Sequence, residues 1–327
     1  MFRPRLALLV AALALFIAPR TAALKGCATD SDVVEAALTR CATYPAFHRA
    51  GVAQPTAVLT ADQIARRVQD RDTGRDSRTS LRMKLFDRHG RARARALTLI
   101  SMRGRDNSEE TGSNGARRGN SGVPPATPDG DRLLIRFSYP NDIKGTGFLV
   151  WEHPDSEDER FLYLPSLGRV RRIAGAETQE SFVGSDFTYE DIGGRELDEY
   201  TYTIADANAS WMVPAGTTTL IARPAWRLES KRRAASAEFP RVVSLVLKDS
   251  FVVVQADLYN RRNEKQKVYT VRRLEQIEGV WTAMDAEMTN ALEKSRTELT
   301  IERVDYNVGL KESDFSRREL ERGFQRK

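Results

Sequence analysis

The spacing of apolar positions changes character once along this chain. In "LTADQIARRVQDRD", Leu59 to Asp72, Ile64 and Val68 stack one turn apart and Thr60 with Gln63 forms a capping box, which predicts a helix. Further upstream, Val33, Val34, Ala37 and Leu38 fall on one helical face, predicting a small helical piece within residues 24–55. After "RDTGRDS" the period drops to two: Leu81, Met83 and Leu85 alternate with Arg82 and Lys84, and His89–Gly90 turns the chain. In "RARARALTLI", Arg91, Arg93 and Arg95 take one face and Ala92, Ala94 and Ala96 the other. That alternation reads as the solvated face of an antiparallel strand rather than a nucleic-acid patch.

Residues 103–131 are rich in Gly, Ser, Asn and Pro without apolar periodicity, so they read as a disordered insertion between two strands. From Arg132 onward strand patterns follow in series, among them "RLLIRFSY", "GTGFLVWEH", "RFLYL", "RVRRI", "DEYTYTI", "RVVSLVLK", "FVVVQADLY" and "KVYTVRRLEQI", with turn residues between many of them. Counting "GVWTAMDAEM", "TELTIERVDYN" and the pair before the insertion, about twelve strands are expected. One or two helices against so long an antiparallel series predict a mainly β (α+β) fold. It would be a strongly curved sheet or barrel with helices on its inner face.

The composition adds a leader. Arg3 and Arg5 precede an unbroken apolar run, Leu6 to Ala18, with small residues at Thr21 and Ala23. The run is shorter than the about 20 residues that cross a bilayer as a helix, so residues 1–23 read as a signal peptide. Its removal takes three arginines and lowers the net charge from +6 to +3, too mildly basic to imply nucleic acid. Cys27 and Cys41 then lie just inside the mature chain, and in an exported protein they predict a disulfide. The rival reading is lipidation of Cys27, since "LKGC" loosely resembles a lipobox, although Lys25 fits poorly there.

Chemistry is sparse. The chain has no G-x-S-x-G, H-E-x-x-H, C-x-x-C, Walker or G-x-G-x-x-G motif, and its three histidines, His48, His89 and His153, are scattered. No metal or cofactor is expected. His153 beside Glu152 reads as a surface histidine at a strand end. The exception is "SFVGSDFTYEDIGGRELDEYTY", Ser181 to Tyr202, with six carboxylates and five aromatics in 22 residues. Asp186, Glu190 and Asp191 lack the spacing of a calcium loop, and a glycosidase-type pair stays open as a weak alternative. Gly193 and Gly194 read as the turn before a strand containing Tyr200 and Tyr202. Asp186, Glu190 and Asp191 are expected to pair with Arg169, Arg171 and Arg172 or to cap backbone amides.

At this stretch the chain resembles a known family. "FLYLPSLGRVRRIAGAETQESFVGSDFTYEDIGGRELDEYTYTI", Phe161 to Ile204, is similar to the central signature of the LolA-like outer-membrane lipoprotein-sorting proteins, with Arg169, Arg171, Arg172, Gly184, Asp186, Glu190 and Asp191 in it. The likeness extends over residues 58–322, while the insertion and the segment with Cys27 and Cys41 have no counterpart. The resemblance implies an incomplete barrel with helices closing an apolar cavity. It also implies a periplasmic, non-enzymatic carrier of lipid or lipoprotein acyl chains, working with an RND/MMPL-type inner-membrane transporter. The expected division is 1–23 signal peptide, 24–55 helical segment and 56–327 carrier domain. Candidate lining residues are Phe148, Trp151, Phe161, Tyr163 and Phe182, with Phe187, Tyr189, Trp211, Trp281 and Met284 completing the set. The alternatives are an envelope adaptor without its own cargo and a carboxylate-dependent hydrolase.

Overall fold

The computed structural model describes residues 5–6, 59–104, 130–153, 156–214, 220–234 and 237–322. The chain divides into Met1–Leu15 with Thr60–Lys327 and, as a separate unit, Phe16–Leu59, of which only Leu59 is described. Cys27 and Cys41, the helical piece expected in 24–55 and residues 105–129 of the insertion lie outside the described residues.

The first helix forms where its cap and stripe place it. Helix α1, Ala61–Asp70, starts at a capping box between Thr60 and Gln63 and buries Ile64, Ala65 and Val68. A two-residue strand β1, Arg5–Leu6, pairs antiparallel with β8, Arg195–Glu196. The other strands are β2 (Asp76–Phe86), β3 (Ala92–Met102), β4 (Arg132–Tyr139), β5 (Gly147–Trp151), β6 (Glu159–Leu164), β7 (Arg169–Ile173), β9 (Tyr200–Pro214), β10 (Leu220–Arg232), β11 (Arg241–Leu247), β12 (Val253–Tyr259), β13 (Lys265–Ile277), β14 (Val280–Asn290) and β15 (Ser295–Tyr306). These thirteen form one antiparallel sheet in the order β7-β6-β5-β4-β3-β2-β15-β14-β13-β12-β11-β10-β9. The sheet is not closed: β7 and β9 are its two edges. Helices are few. Besides α1 there are α2 (Tyr189–Gly193), α3 (Arg317–Arg322) and short 3-10 turns.

One strand escapes the period-two reading. Leu220–Arg232 of β10 carries Pro224 and a register shift after Ala225, so neither composition nor alternation marks it. Pro224 is tolerated because it lies one residue beyond the end of the β10–β11 ladder at Ala225 and Leu247. Its carbonyl there accepts from the Lys248 amide at 3.0 Å.

The sheet has two buried faces, and side-chain parity assigns them. Leu97 and Leu99 of β3, Leu133, Ile135 and Phe137 of β4, and Phe148 and Val150 of β5 join residues of β9 to β15 in one apolar cluster. A single face can bring strands that distant together only by curling, so this is the inner face. The opposite face of β3 to β6, with Ile100, Leu134, Leu149 and Phe161, is covered by Phe315 and by Leu320 of α3. Gly147 lets that helix approach, since a Cβ there would stand 2.6 Å from Leu320 Cδ1.

The arginines of the β3 alternation share the parity of the inner face, yet Arg91 and Arg93 stay exposed, as a solvated face requires, and only Arg95 departs from that expectation. Arg93 and Arg95 stand opposite Leu85 and Met83 of β2 and share parity with Leu97 and Leu99. Arg95 is half-buried; it donates to the Val183 carbonyl and lies over the Phe137 ring at 5.9 Å. The alternation was legible, but which of its faces is inward depends on the curl.

Candidate functional site

The acidic stretch folds as an inner segment against the concave face of the sheet. Its aromatic residues enter the core. Phe182 packs edge-on to Phe148 (5.5 Å between centroids) and Tyr189 (5.5 Å) and beside Phe137 (5.9 Å). Phe187 and Ile192 are buried in the same cluster. Burying such side chains contributes about 1.5–3 kcal/mol each.

Polar bonds tie this segment to three strands of the sheet, β15, β10 and β6. Asp186 receives the hydroxyls of Ser295 (2.5 Å) and Thr297 (2.7 Å) from β15. Glu190 pairs with Arg232 of β10 at 2.9 Å, and Arg232 also holds Glu199 at 2.6 Å. Asp191 caps α2 by accepting the Thr188 amide at 2.9 Å and pairs with Arg195 at 2.5 Å. Arg160 of β6, itself paired with Asp158 at 3.0 Å, donates to the Gly194 carbonyl. Gly194 takes φ 95°, and Gly193 lets the Arg160 guanidinium approach, since a Cβ there would lie 3.0 Å from its Nε.

Electrostatics keep the Asp191–Arg195 pair ionised. Burial would raise the Asp191 carboxyl, but Arg195, Lys267 and the Thr188 amide outweigh it and hold the group below the usual carboxylate range. Burial also disfavours the Arg195 charge, yet Tyr200, Asp191 and Glu190 leave it more firmly protonated than a free arginine. The Tyr200 phenol is pushed up to about 12 by burial.

The space around the segment is of two kinds. Between Phe182, Ile192 and the apolar side chains of β2, β3 and β15 lies a void of about 60 Å³. A second, about 20 Å³, separates Val68 of α1 from Tyr200 and Val246. At the end of the inner face beside the β2–β3 turn a wider cleft of about 690 Å³ opens, polar and reached by Arg93, Asp186, Lys267, Asn290 and Ser295.

The candidate residues read from sequence are divided by the sheet. Phe148, Phe182, Phe187, Tyr189 and Trp211 are buried in the inner cluster, and Trp281 packs against it. Trp151, Phe161 and Tyr163 point the other way, under the C-terminal segment: the Trp151 indole donates to the Phe315 carbonyl at 2.7 Å, and Arg317 lies over Phe161 at 4.0 Å. They do not line the interior, because strand parity separates Phe161 and Tyr163 from Leu162. Met284 is buried outside these two clusters. Arg169, Arg171 and Arg172 do not meet Asp186, Glu190 or Asp191. They are exposed on edge strand β7, where Arg171 reaches Glu177 (3.5 Å) and Arg172 reaches Glu157 (4.0 Å). Gly184 takes φ 74° in the turn after Phe182. His153 contacts Glu159 at 3.4 Å rather than Glu152. Among the described residues no group of three or more His, Cys, Asp or Glu could hold a metal ion.

Sequence reasoning missed Lys267 and Asn290, although the parity of Lys267 with Tyr269 and Val271 in "KVYTV" was available.

A family model described only as that of an uncharacterized-protein-like family matches residues 129–322, which include the inner segment and most of the sheet. A solved structure of a DUF1329 family protein from Desulfovibrio piger is 26% identical, with a TM-score of 0.64 over 80% of this chain and 97% of that one. The structure of an outer membrane lipoprotein-sorting protein domain from Vibrio parahaemolyticus is 25% identical, with a TM-score of 0.64 over 80% and 98%. The chain belongs to a LolA-like family. Its LolA-like fold is shared more distantly with a LolA superfamily protein from Nitrosomonas europaea, at 12% identity and a TM-score of 0.55 over 79% and 98% of the two chains. No curated protein matches the chain. In this LolA-like chain the inner segment therefore lies within the matched family region, whereas α1, β2 and β3 precede it.

Proposed function

We propose that this LolA-like protein is a carrier of lipidic cargo in the cell envelope, holding the acyl chains of a lipid or lipoprotein against the inner face of its open sheet. The observation that carries the reading is a continuous apolar inner face on a sheet with two unpaired edges, ending at a polar cleft. Each methylene hidden from water is worth about 0.8 kcal/mol, so a long acyl chain gains on the order of ten kcal/mol without any covalent step. The likeness to a lipoprotein-sorting domain supports the same reading. The leader at residues 1–23 fits export to the periplasm, and the transporter implied by the resemblance, of RND/MMPL type, would supply or receive the cargo.

The reading has a steric condition. Small-molecule sites usually hold about 300 Å³ or more. The apolar void of about 60 Å³ is far smaller, so loading requires the inner segment and the sheet to separate. That packed interior also favours a second reading, an envelope adaptor without cargo. Gentle purification of the full chain followed by native mass spectrometry and lipid extraction tests the two. Co-purifying lipid in stoichiometric amount is expected; protein that is always empty yet binds an envelope transporter overturns carriage in favour of the adaptor.

A further inference from the structure

The polar cleft at the end of the inner face holds two buried charges of opposite sign that do not pair with each other. Lys267 is 6% exposed and Asp186 8%. Side chains of these types are seldom buried this far without a partner, because desolvation costs several kcal/mol per ion. Among the described residues no carboxylate stands at ion-pair distance from Lys267, whose ammonium lies 4.8 Å from the centre of the Phe239 ring. The acid that feels its charge, Asp191, is committed to Arg195. Asp186 likewise has no cation at ion-pair distance among the described residues. Two hydroxyls satisfy it, leaving further acceptor positions on both oxygens.

Register places these groups where an amphiphile changes character. On β13, Lys267 shares the inner face with Tyr269 and Val271; on β14, Asn290 shares it with Met288 and Ala286. Lys267 stands opposite Asn290, and Asn290 opposite Ser295. One polar row thus crosses three strands, and the next row inward, about 7 Å away at two strand residues, is Tyr269, Met288 and Thr297. Beyond it the face is apolar. Around the cleft the charges are mixed: Arg88 and Arg93 line it together with Glu180, Glu238 and Glu293. A purely anionic end would meet these glutamates, and a purely cationic one the arginines and Lys267.

We infer that the cleft seats the polar end of a zwitterionic amphiphile, its anionic group at Lys267 and its primary ammonium at Asp186, as in a phosphoethanolamine lipid. The inference rests on the carrier reading for the tails and adds the class of head. Lys267 supplies a charge-assisted bond to the phosphate, and Asp186 accepts from the ammonium.

The test loads the full chain with lipids of matched acyl chains: phosphatidylethanolamine, phosphatidylglycerol and diacylglycerol, which has tails but no phosphate. Wild-type protein should retain phosphatidylethanolamine in preference to both others. Lys267→Gln should weaken phosphatidylethanolamine about tenfold or more, the loss of one charged hydrogen bond, and leave diacylglycerol unchanged. Lys267→Arg should restore the preference. Equal retention of all three by wild type, or unaltered ratios in a folded Lys267→Gln protein, would overturn the headgroup seat while leaving acyl carriage standing. Retention of no lipid at all overturns carriage. Water-soluble glycerophosphoethanolamine then decides the seat separately, since its Lys267-dependent binding supports a polar site and its failure to bind removes it. Should Lys267→Gln not fold, the wild-type ranking and Lys267→Arg suffice.

Discussion

At Asp191 one carboxylate meets two demands: it accepts the Thr188 amide at 2.9 Å and the Arg195 guanidinium at 2.5 Å, and both side chains of the pair are buried. Removing one member of such a pair leaves an uncompensated charge in the core and costs roughly 3–5 kcal/mol. Asp191→Asn is therefore expected to lower the urea midpoint strongly at neutral pH or to prevent folding altogether. The pH dependence has a definite sign. The folded-state carboxyl titrates below its ordinary 3.8, so its contribution is present above about pH 4 and disappears as the pH falls through the folded value. Denaturation curves of wild type should show this acid-side loss, and those of Asp191→Asn should lack that component. A mutant as stable as wild type, with the same acid limb, would remove Asp191 from the lattice. Glu190 is more accessible, and its bond to Arg232 shares that guanidinium with Glu199, so Glu190→Gln should cost less than Asp191→Asn in the same assay.

At the scale of elements, the signals that succeeded were local. Thr60 and Gln63 set the start of α1 because the reciprocal bonds lie within one turn, at 3.2 and 2.9 Å. Thr60→Ala should cost about 1 kcal/mol, read as a lower thermal midpoint with an unchanged sheet signature in circular dichroism. Period-two alternation likewise marked β2, β3 and β13, because residues on a pleated strand must choose sides. What escaped was non-local. Pro224 and a register shift hid β10, which is recognisable only once β9 and β11 flank it. The inward direction of Arg93 and Arg95, and the outward direction of Phe161 and Tyr163, depend on how the sheet curls and on Phe315 and Leu320 arriving from the far end of the chain. For the same reason the arginine partners expected for Asp186 and Glu190 were misplaced, whereas the backbone-amide cap also expected of this stretch is present at Asp191, within one turn. The nearby arginines of β7 lie on an edge strand, while Ser295, Thr297 and Arg232 come from strands with no sequence proximity to the stretch. The aromatic residues of the inner segment, read from sequence as cavity lining, are packed into the core cluster, whereas Lys267 became visible only when its neighbours across the sheet were known.

For the molecule as a whole, the inner segment already covers apolar surface on the inner face of the thirteen-stranded sheet. An acyl chain can reach that surface only by displacing something, since the void beside Phe182 and Ile192 is about 60 Å³. The strands hold one another by continuous ladders from β7 to β9, and opening any one costs a row of backbone hydrogen bonds. The inner segment is held by a handful of side-chain bonds to Ser295, Thr297, Arg232 and Arg160 and by its aromatic contacts, so it is the cheaper part to move. Loading should consequently leave amide exchange in β2, β13, β14 and β15 as slow as in the empty protein. Exchange across residues 181–194 should be altered. Hydrogen–deuterium exchange with and without a bound phospholipid measures this directly. If exchange changes instead in the central strands, the sheet itself is the gate. If nothing changes although lipid is bound, the cargo sits outside the inner face, and the apolar cluster is a core and not a carrier's interior.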